Sequence, residues 1–328
     1  MTLGGILGQG RAVDLLRRSL AAGRLAHAYV FTGPAGVGKR ATALALASAC
    51  LCAERPGEGC GSCPECRLVD ALSHPDLFVE DLARAQAERA TASQVSIEQV
   101  RRVRGHLALR PVRGPRKVAI VDDAERMTAD AQNALLKTLE EPPGRTTLVL
   151  VATNAAVLLP TIRSRCQQVR FAPLEEAEIE SLLVAAGTEP ADARTAAPLA
   201  EGSLVRAREL ASGDLAERCR DLRDRLDRIH LAPVADVLDL ASEMTASRGA
   251  RAEQSALVAT VLDWCRRRVR EAVAASAGGD ADAREGVRRA VRQLERAYAT
   301  SRDLDRHANA HLSWDVLLLE LRRAGPIG

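Results

Sequence analysis

The stretch between residues 28 and 52 constrains this chain more than any other. Ala28-Tyr29-Val30-Phe31-Thr32 is an unbroken run of strand formers, followed at once by Gly33-Pro34-Ala35-Gly36-Val37-Gly38-Lys39 and by an Ala/Leu-rich helix from Lys39 to Cys52. A buried strand that ends in Gly-x-x-x-x-Gly-Lys and opens a helix belongs to an α/β layer architecture. The small residues let backbone N–H groups wrap a phosphate at the helix N-terminus, and the lysine reaches the outer phosphates. Gly33, Gly36, Gly38 and Lys39 are therefore candidate nucleotide-phosphate ligands.

The pattern of strand and helix continues beyond this loop. Ile97, Val100, Val103 and Leu107 recur at helical spacing, and Lys117-Val118-Ala119-Ile120-Val121 reads as a second buried strand ending in Asp122-Asp123. Thr128 is placed to cap a helix carrying Ala131, Ala134, Leu135, Thr138 and Leu139 on one face, stopped by Pro142-Pro143. Leu148 to Ala152 is a further buried strand and Val169-Arg170-Phe171 a short one. Apolar strands joined by helices predict a mainly parallel sheet covered on both faces.

Two positions depart from a working hydrolytic site. Mg²⁺ coordination needs a Ser or Thr hydroxyl directly after the loop lysine, and this chain has Arg40. A guanidinium has no acceptor oxygen and brings positive charge to the metal's place. Thr42 is turned by about 200° on the helix, so it does not substitute. At the end of the second strand Asp122 fits the acid that steadies Mg²⁺, but Asp123 stands where an ATPase needs Glu to hold water in line. Nucleotide binding is compatible with these residues; Mg²⁺-dependent hydrolysis is disfavoured by them.

Cys52, Cys60, Cys63 and Cys66 form C-x7-C-x2-C-x2-C with Gly57, Gly59, Gly61 and Pro64 between them. Four thiolates at this spacing suit a closed, structural, tetrahedral zinc site in an insertion at about residues 50–68. Cys50 is the competing ligand, disfavoured by helical register. Cys166, Cys219 and Cys265 read as small buried residues.

After Pro173 the texture becomes helical. Glu175 to Ala186 is a predicted helix closed by Gly187, helices continue to about Ala211, Ser212-Gly213 is a hinge candidate, and the remainder is Ala/Arg/Leu/Asp-rich. Ala275 to Asp282 reads as an inter-helix loop. The predicted plan is residues 1–173 as the α/β domain, 174–213 as a small helical lid, and 214–328 as a helical C-terminal domain. With 46 Lys+Arg against 43 Asp+Glu and only two Trp, two Tyr and three Phe, the composition argues against an autonomous nucleic-acid binder built on charge or base stacking. No basic region leads into an apolar segment at the N-terminus, and a soluble cytosolic chain is expected. Only three of the basic residues are lysines: Lys39, Lys117 and Lys137. Where arginine is the rule, a lysine marks a place for a compact ammonium.

The phosphate loop, the four-cysteine insertion, His74-Pro75-Asp76, Leu135-Leu136-Lys137-Thr138-Leu139-Glu140-Glu141-Pro142-Pro143 and Ser164-Arg165-Cys166 together resemble the bacterial AAA+ clamp-loader family. The resemblance runs over about residues 5 to 213. Asn309, Leu312 and Trp314-Asp315 are compatible with that family's oligomerising collar. The resemblance implies a subunit of the loader that places the sliding clamp for DNA polymerase III, partnered by gamma/tau and delta subunits, with clamp and primed DNA reached through the complex. It also implies that Arg165 is an arginine finger acting on a neighbour's ATP. Arg40, Asp123, Val205 in place of a lid arginine, and the stop at Gly328 point to a non-hydrolysing stator subunit. The alternative is an active motor of the gamma/tau type. A small-molecule phosphotransferase is a third class, one that leaves the cysteines and the helical tail unexplained.

Overall fold

Five parallel strands carry the N-terminal half: β1 (Ala28–Thr32), β2 (Leu77–Glu80), β3 (Lys117–Val121), β4 (Thr146–Ala152) and β5 (Gln167–Arg170), in the order β2-β3-β4-β1-β5. The computed structural model describes residues 1–88, 93–212, 214–246, 251–276, 281–305 and 309–323. They divide into two compact units, Met1–Glu178 with Gly202–Val205, and Ile179–Glu201 with Arg206–Gly328. The hinge expected at Gly213 and the centre of the loop expected between Ala275 and Asp282 lie outside the described residues.

The first unit shows why its strands read as apolar runs. Along β1, Tyr29 and Phe31 join one core while Ala28 and Val30 join the other. β3 and β4 divide the same way, Val118, Ile120, Val149 and Val151 on one face and Ala119, Val121, Leu148 and Leu150 on the other. A strand buried on both sides loses the polar alternation of a half-exposed one. Helices α1 (Gly10–Ala21) and α2 (Lys39–Leu51) contribute to the first core; two later helices, 97–108 and 129–140, contribute to the second. Between them in the chain lie α3 (Pro64–Asp70) and α4 (Leu82–Glu88), so the two later helices are α5 (Ile97–Ala108) and α6 (Ala129–Glu140), followed by α7 (Pro160–Arg165). The Thr128 hydroxyl accepts from the Ala131 amide, as its position before α6 predicts.

Strand β2 was not expected. Its apolar run is three residues, Leu77-Phe78-Val79, and it ends in Glu80, which is fully buried. The structure satisfies that carboxylate with Gln99 Nε2 at 2.8 Å and Arg102 Nη2 at 3.2 Å. A charged residue in a buried strand is tolerated only with such partners.

The second unit contains α8 from residue 179 on (the helix begins in the first unit; Glu176–Ala185), then α9 (Pro190–Leu199), α10 (Leu204–Leu210, whose first two residues also belong to the first unit), α11 (Leu215–Asp227), α12 (Val234–Ala246), α13 (Arg251–Ala275), α14 (Ala281–Asp305) and α15 (Ala310–Arg323). Trp264 and Trp314 anchor its core with Leu222, Leu226, Val237 and Leu318. The Trp264 indole N–H donates to Asp227 at 2.7 Å, and Asn309 Oδ1 accepts from the Leu312 amide at the start of α15. No helix among the described residues is long and apolar enough to cross a membrane.

A buried pair at the start of β2 and β3 lies beside the contacts that fasten the sheet to the cysteine insertion. Asp76 is fully buried and accepts from the amides of Val112 (2.7 Å), Arg113 (2.8 Å) and Gly114 (2.7 Å), with Lys117 Nζ at 3.0 Å. Its own amide donates to His74 Nδ1, and His74 Nε2 lies 2.8 Å from Glu65 on α3. His74 is thus a structural turn residue. Burial alone would raise the Asp76 carboxyl, but the three amides and the Lys117 ammonium hold it well below the usual carboxylate range. Replacing Asp76 with Asn strands the buried ammonium of Lys117, and we expect a loss of about 3–5 kcal/mol in urea unfolding near neutral pH. The native carboxyl is the stronger acid, so its contribution is complete above the unfolded value of about 3.9 and fades as pH falls below it. The gap between wild type and Asp76→Asn should therefore narrow in acid; a gap independent of pH would contradict the pairing.

Candidate functional site

The phosphate loop leaves the carboxyl end of β1, a central strand flanked by β4 and β5. Ligands of open α/β sheets bind in the crevice outside these strand ends. Gly33, Gly36 and Gly38 adopt φ of 152°, 76° and 96°, backbone that a side chain would strain. At Gly33 a Cβ would also meet the Phe171 carbonyl oxygen at 2.4 Å, and at Gly36 the Ser203 hydroxyl at 2.1 Å. The segment 202–205 closes on the loop through a hydrogen bond from the Leu204 amide to the Gly36 carbonyl. Val205 approaches Gly36, whereas Arg206 pairs with Glu201 at 3.1 Å. The residue over the loop is therefore the valine, and the adjacent arginine is engaged with its own helical unit.

Lys39 begins α2 and is only 7% exposed. Its ammonium donates to the carbonyls of Gly33 (2.7 Å) and Pro34 (2.6 Å), bridging the loop it is meant to serve. Burial lowers its pKa against the opposing pull of Glu125, Asp122 and Asp123. Thr42, as its helical phase predicts, turns inward: its hydroxyl donates to the Gly38 carbonyl and is fully buried.

Arg40 makes the decisive contact. Glu80 of β2 pairs with Val121 of β3, so the next residue of each strand, Asp81 and Asp122, emerges at the same edge of the sheet. The Arg40 guanidinium reaches both from the first turn of α2, Nη1 to Asp81 Oδ2 at 2.6 Å and to Asp122 Oδ2 at 3.2 Å. Burial pulls the guanidinium down, but the bonds to Asp81 and Asp122 outweigh it and hold it above its ordinary value. Asp122, the candidate metal acid, is thereby committed to an internal cation. Asp123 sits in the left-handed region at φ 51°, and burial together with the Asp122 charge raises its pKa. The residues present do not fit a divalent ion beside Asp122. Asp81 was not identified from sequence, since it lies 41 positions from its partner; the only local cue is its position after a short apolar run.

The four cysteines do converge. Their sulfurs all lie within 4.8 Å of one another, Cys52 to Cys63 at 3.8 Å and Cys60 to Cys66 at 4.0 Å. A tetrahedral zinc site with bonds of about 2.3 Å places its sulfurs about 3.8 Å apart. Backbone amides point at them: Arg55 and Cys60 at Cys52, Ser62 and Cys63 at Cys60, Cys66 at Cys63. The Ser62 hydrogen bonds, with that from the Cys63 amide, bring the Cys60 thiol down to about 6. This donor set fits a structural metal ion. Cys50 instead packs in the first sheet core, its thiol pushed up to about 12 by burial. Cys166, Cys219 and Cys265 are buried as expected.

Arg165 is apart from these groups, at the last turn of α7. Its guanidinium pairs with Glu140 at 2.9 Å and donates to the Thr161 carbonyl at 3.1 Å, with the side chain 36% exposed. Lys137 is exposed and lines an open cleft of about 450 Å³ between α5 and α6, with Arg101, Arg104 and Glu141.

Residues 8–175 match the model of a family described as DNA polymerase III, delta subunit. The DNA polymerase III subunit delta' of Pseudomonas aeruginosa is 44% identical over 170 residues, which cover 51% of this chain and 50% of that protein. The subunit delta' of Bacillus subtilis is 35% identical over 206 residues, 63% of this chain and 60% of that one. The subunit tau of Escherichia coli is 33% identical over 225 residues, covering 65% and 34%. The matched region thus spans about half of the first relative and three-fifths of the second. A crystal structure of a DNA polymerase III gamma subunit-related protein from Thermotoga maritima is similar over 94% of this chain and 98% of that one, at 19% identity and a TM-score of 0.44. The chain belongs to the family described as DNA polymerase III, delta subunit, and is similar over its matched region to the delta' subunits.

Proposed function

We propose that this chain is a non-hydrolysing stator of the DNA polymerase III clamp loader, which assists ATP-dependent loading of the sliding clamp without splitting ATP itself. The observation that carries this reading is the Arg40 guanidinium between Asp81 and Asp122. An active gamma/tau-type motor needs Asp122 for its metal and a hydroxyl at position 40, and this chain has neither available. The loop itself, Gly33, Gly36, Gly38 and Lys39, keeps what is needed to hold a nucleotide's phosphates. Binding would exchange the two carbonyl partners of Lys39 for phosphate oxygens. Residues 174–213 act as the lid and 214–328 as the oligomerising collar. The partners are gamma/tau and delta subunits, with the clamp and primed DNA reached through the complex, in the cytoplasm. Purified chain with ATP, magnesium and primed DNA should show no turnover above background; DNA-stimulated hydrolysis by the chain alone would end this reading.

Arg165 serves the neighbour. Its pairing with Glu140 is largely exposed, and exposed ion pairs contribute about 0–1 kcal/mol, so the guanidinium can be drawn to a stronger negative charge at little cost. Beside the γ-phosphoryl group of an adjacent ATP it would stabilise developing charge, a contribution of about 10³–10⁵ in rate at the site served. Arg165→Ala should fold normally, assemble, and reduce the clamp- and DNA-stimulated ATPase of the reconstituted complex. Unchanged turnover in a complex containing the mutant would exclude the finger.

Cys52, Cys60, Cys63 and Cys66 hold a structural zinc, whose role is to fold the insertion next to the sheet. Metal analysis after dialysis should return about one zinc per chain, and Cys63→Ser should lose it together with thermal stability. A metal-free chain with four titratable thiols and unaltered melting would refute the zinc.

A further inference from the structure

We infer that this phosphate loop takes its nucleotide without a divalent cation, Arg40 standing as the built-in counter-cation. The inference rests on the reading of residues 33–40 as a nucleotide site and adds how that site is charged. In a metal-dependent loop the hydroxyl after the lysine and the acid at the end of the neighbouring strand converge on Mg²⁺, which bridges the phosphate oxygens. Here the same two positions are Arg40 and Asp122, and they converge on each other, 3.2 Å apart, with Asp81 closing the pair at 2.6 Å. One positive group between two carboxylates is the arrangement a divalent ion would otherwise create.

The guanidinium has capacity left for a ligand. Nη1 makes both carboxylate bonds, which leaves Nη2–H and Nε–H, and the side chain is 38% exposed at the mouth of the site. A guanidinium presents five N–H donors in a fixed fork suited to phosphate oxygens. Asp81 is itself held, its Oδ1 accepting the Arg84 amide at 2.8 Å, so Arg40 is tethered to a fixed point. A Mg²⁺ ion on Asp122 would take one of the two carboxylates from Arg40, leaving Asp81 alone to balance it, and would add a third positive centre beside Lys39 and Arg40 at the start of α2. Like charges so close in a partly buried site oppose one another strongly. The ligand class is therefore a nucleoside polyphosphate free of metal, bound through Lys39, Arg40 and the loop backbone.

The test is a fluorescent-nucleotide titration of the full chain, in excess EDTA and in excess magnesium, with manganese binding read separately by electron paramagnetic resonance. Wild type should bind at least as tightly in EDTA as in magnesium, weakening in magnesium only as free nucleotide is drawn into its metal complex, and should take up no manganese at this site. Arg40→Thr restores the hydroxyl and frees both acids. It should lose about 10- to 100-fold in affinity in EDTA, the worth of a charged hydrogen bond, recover it with magnesium, and bind manganese. Arg40→Lys, which keeps the cation, should behave like wild type towards magnesium and controls for folding. Wild-type binding that requires magnesium, or Arg40→Thr binding that does not change in EDTA, would overturn the inference while leaving the nucleotide site standing. Absence of nucleotide binding in both buffers would overturn the nucleotide site itself and the inference with it.

Discussion

The ion pair that Arg40 forms with Asp81 and Asp122 depends on three separate parts of the chain being brought to one edge of the sheet. α2 must start where β1 ends, and β2 and β3 must pair in the register that sets Glu80 against Val121. That register is held from behind by the buried Asp76–Lys117 pair at the start of the same two strands. One end of the β2–β3 ladder is thus closed by the Asp76–Lys117 pair and the other by Arg40 with Asp81 and Asp122. Both replace what water would otherwise supply to charged groups in a buried layer.

The three lysines occupy distinct environments. Lys117 is buried against Asp76 and the Pro75 carbonyl, a space suited to a compact ammonium. Lys39 caps its own loop carbonyls. Lys137 remains exposed on the cleft between α5 and α6. In a chain that otherwise uses arginine, the first two are buried sites in which a compact ammonium meets two or more oxygens at once.

Much of the α/β unit was legible because its strands are buried on both faces and its helices are amphipathic. Ala28–Thr32 and Lys117–Val121 have the bounds read from their apolar runs, and Thr128 caps the helix it precedes. The cysteine spacing singled out four thiols that the structure brings together, while Cys50 packs in the first sheet core. What escaped was set by tertiary partners. β2 is short and ends in a buried glutamate whose solvation comes from Gln99 and Arg102 on a distant helix. Asp81, for the same reason, has no local signature, because its role is created by an arginine far away in the sequence. The sequence did show that position 40 had lost its hydroxyl. It did not show that the arginine put there would occupy the metal's ligand.

If residues 33–40 take a nucleotide as proposed, the cation of that site is Arg40, part of the chain itself. This assignment is tested most directly by a crystal structure of the protein grown with ATP and magnesium. In that crystal Arg40 should still be bonded to Asp81 and Asp122, with phosphates against Lys39 and the loop and no metal on Asp122. A magnesium ion held by Asp122 and bridging the β- and γ-phosphates, with Arg40 swung away, would contradict it.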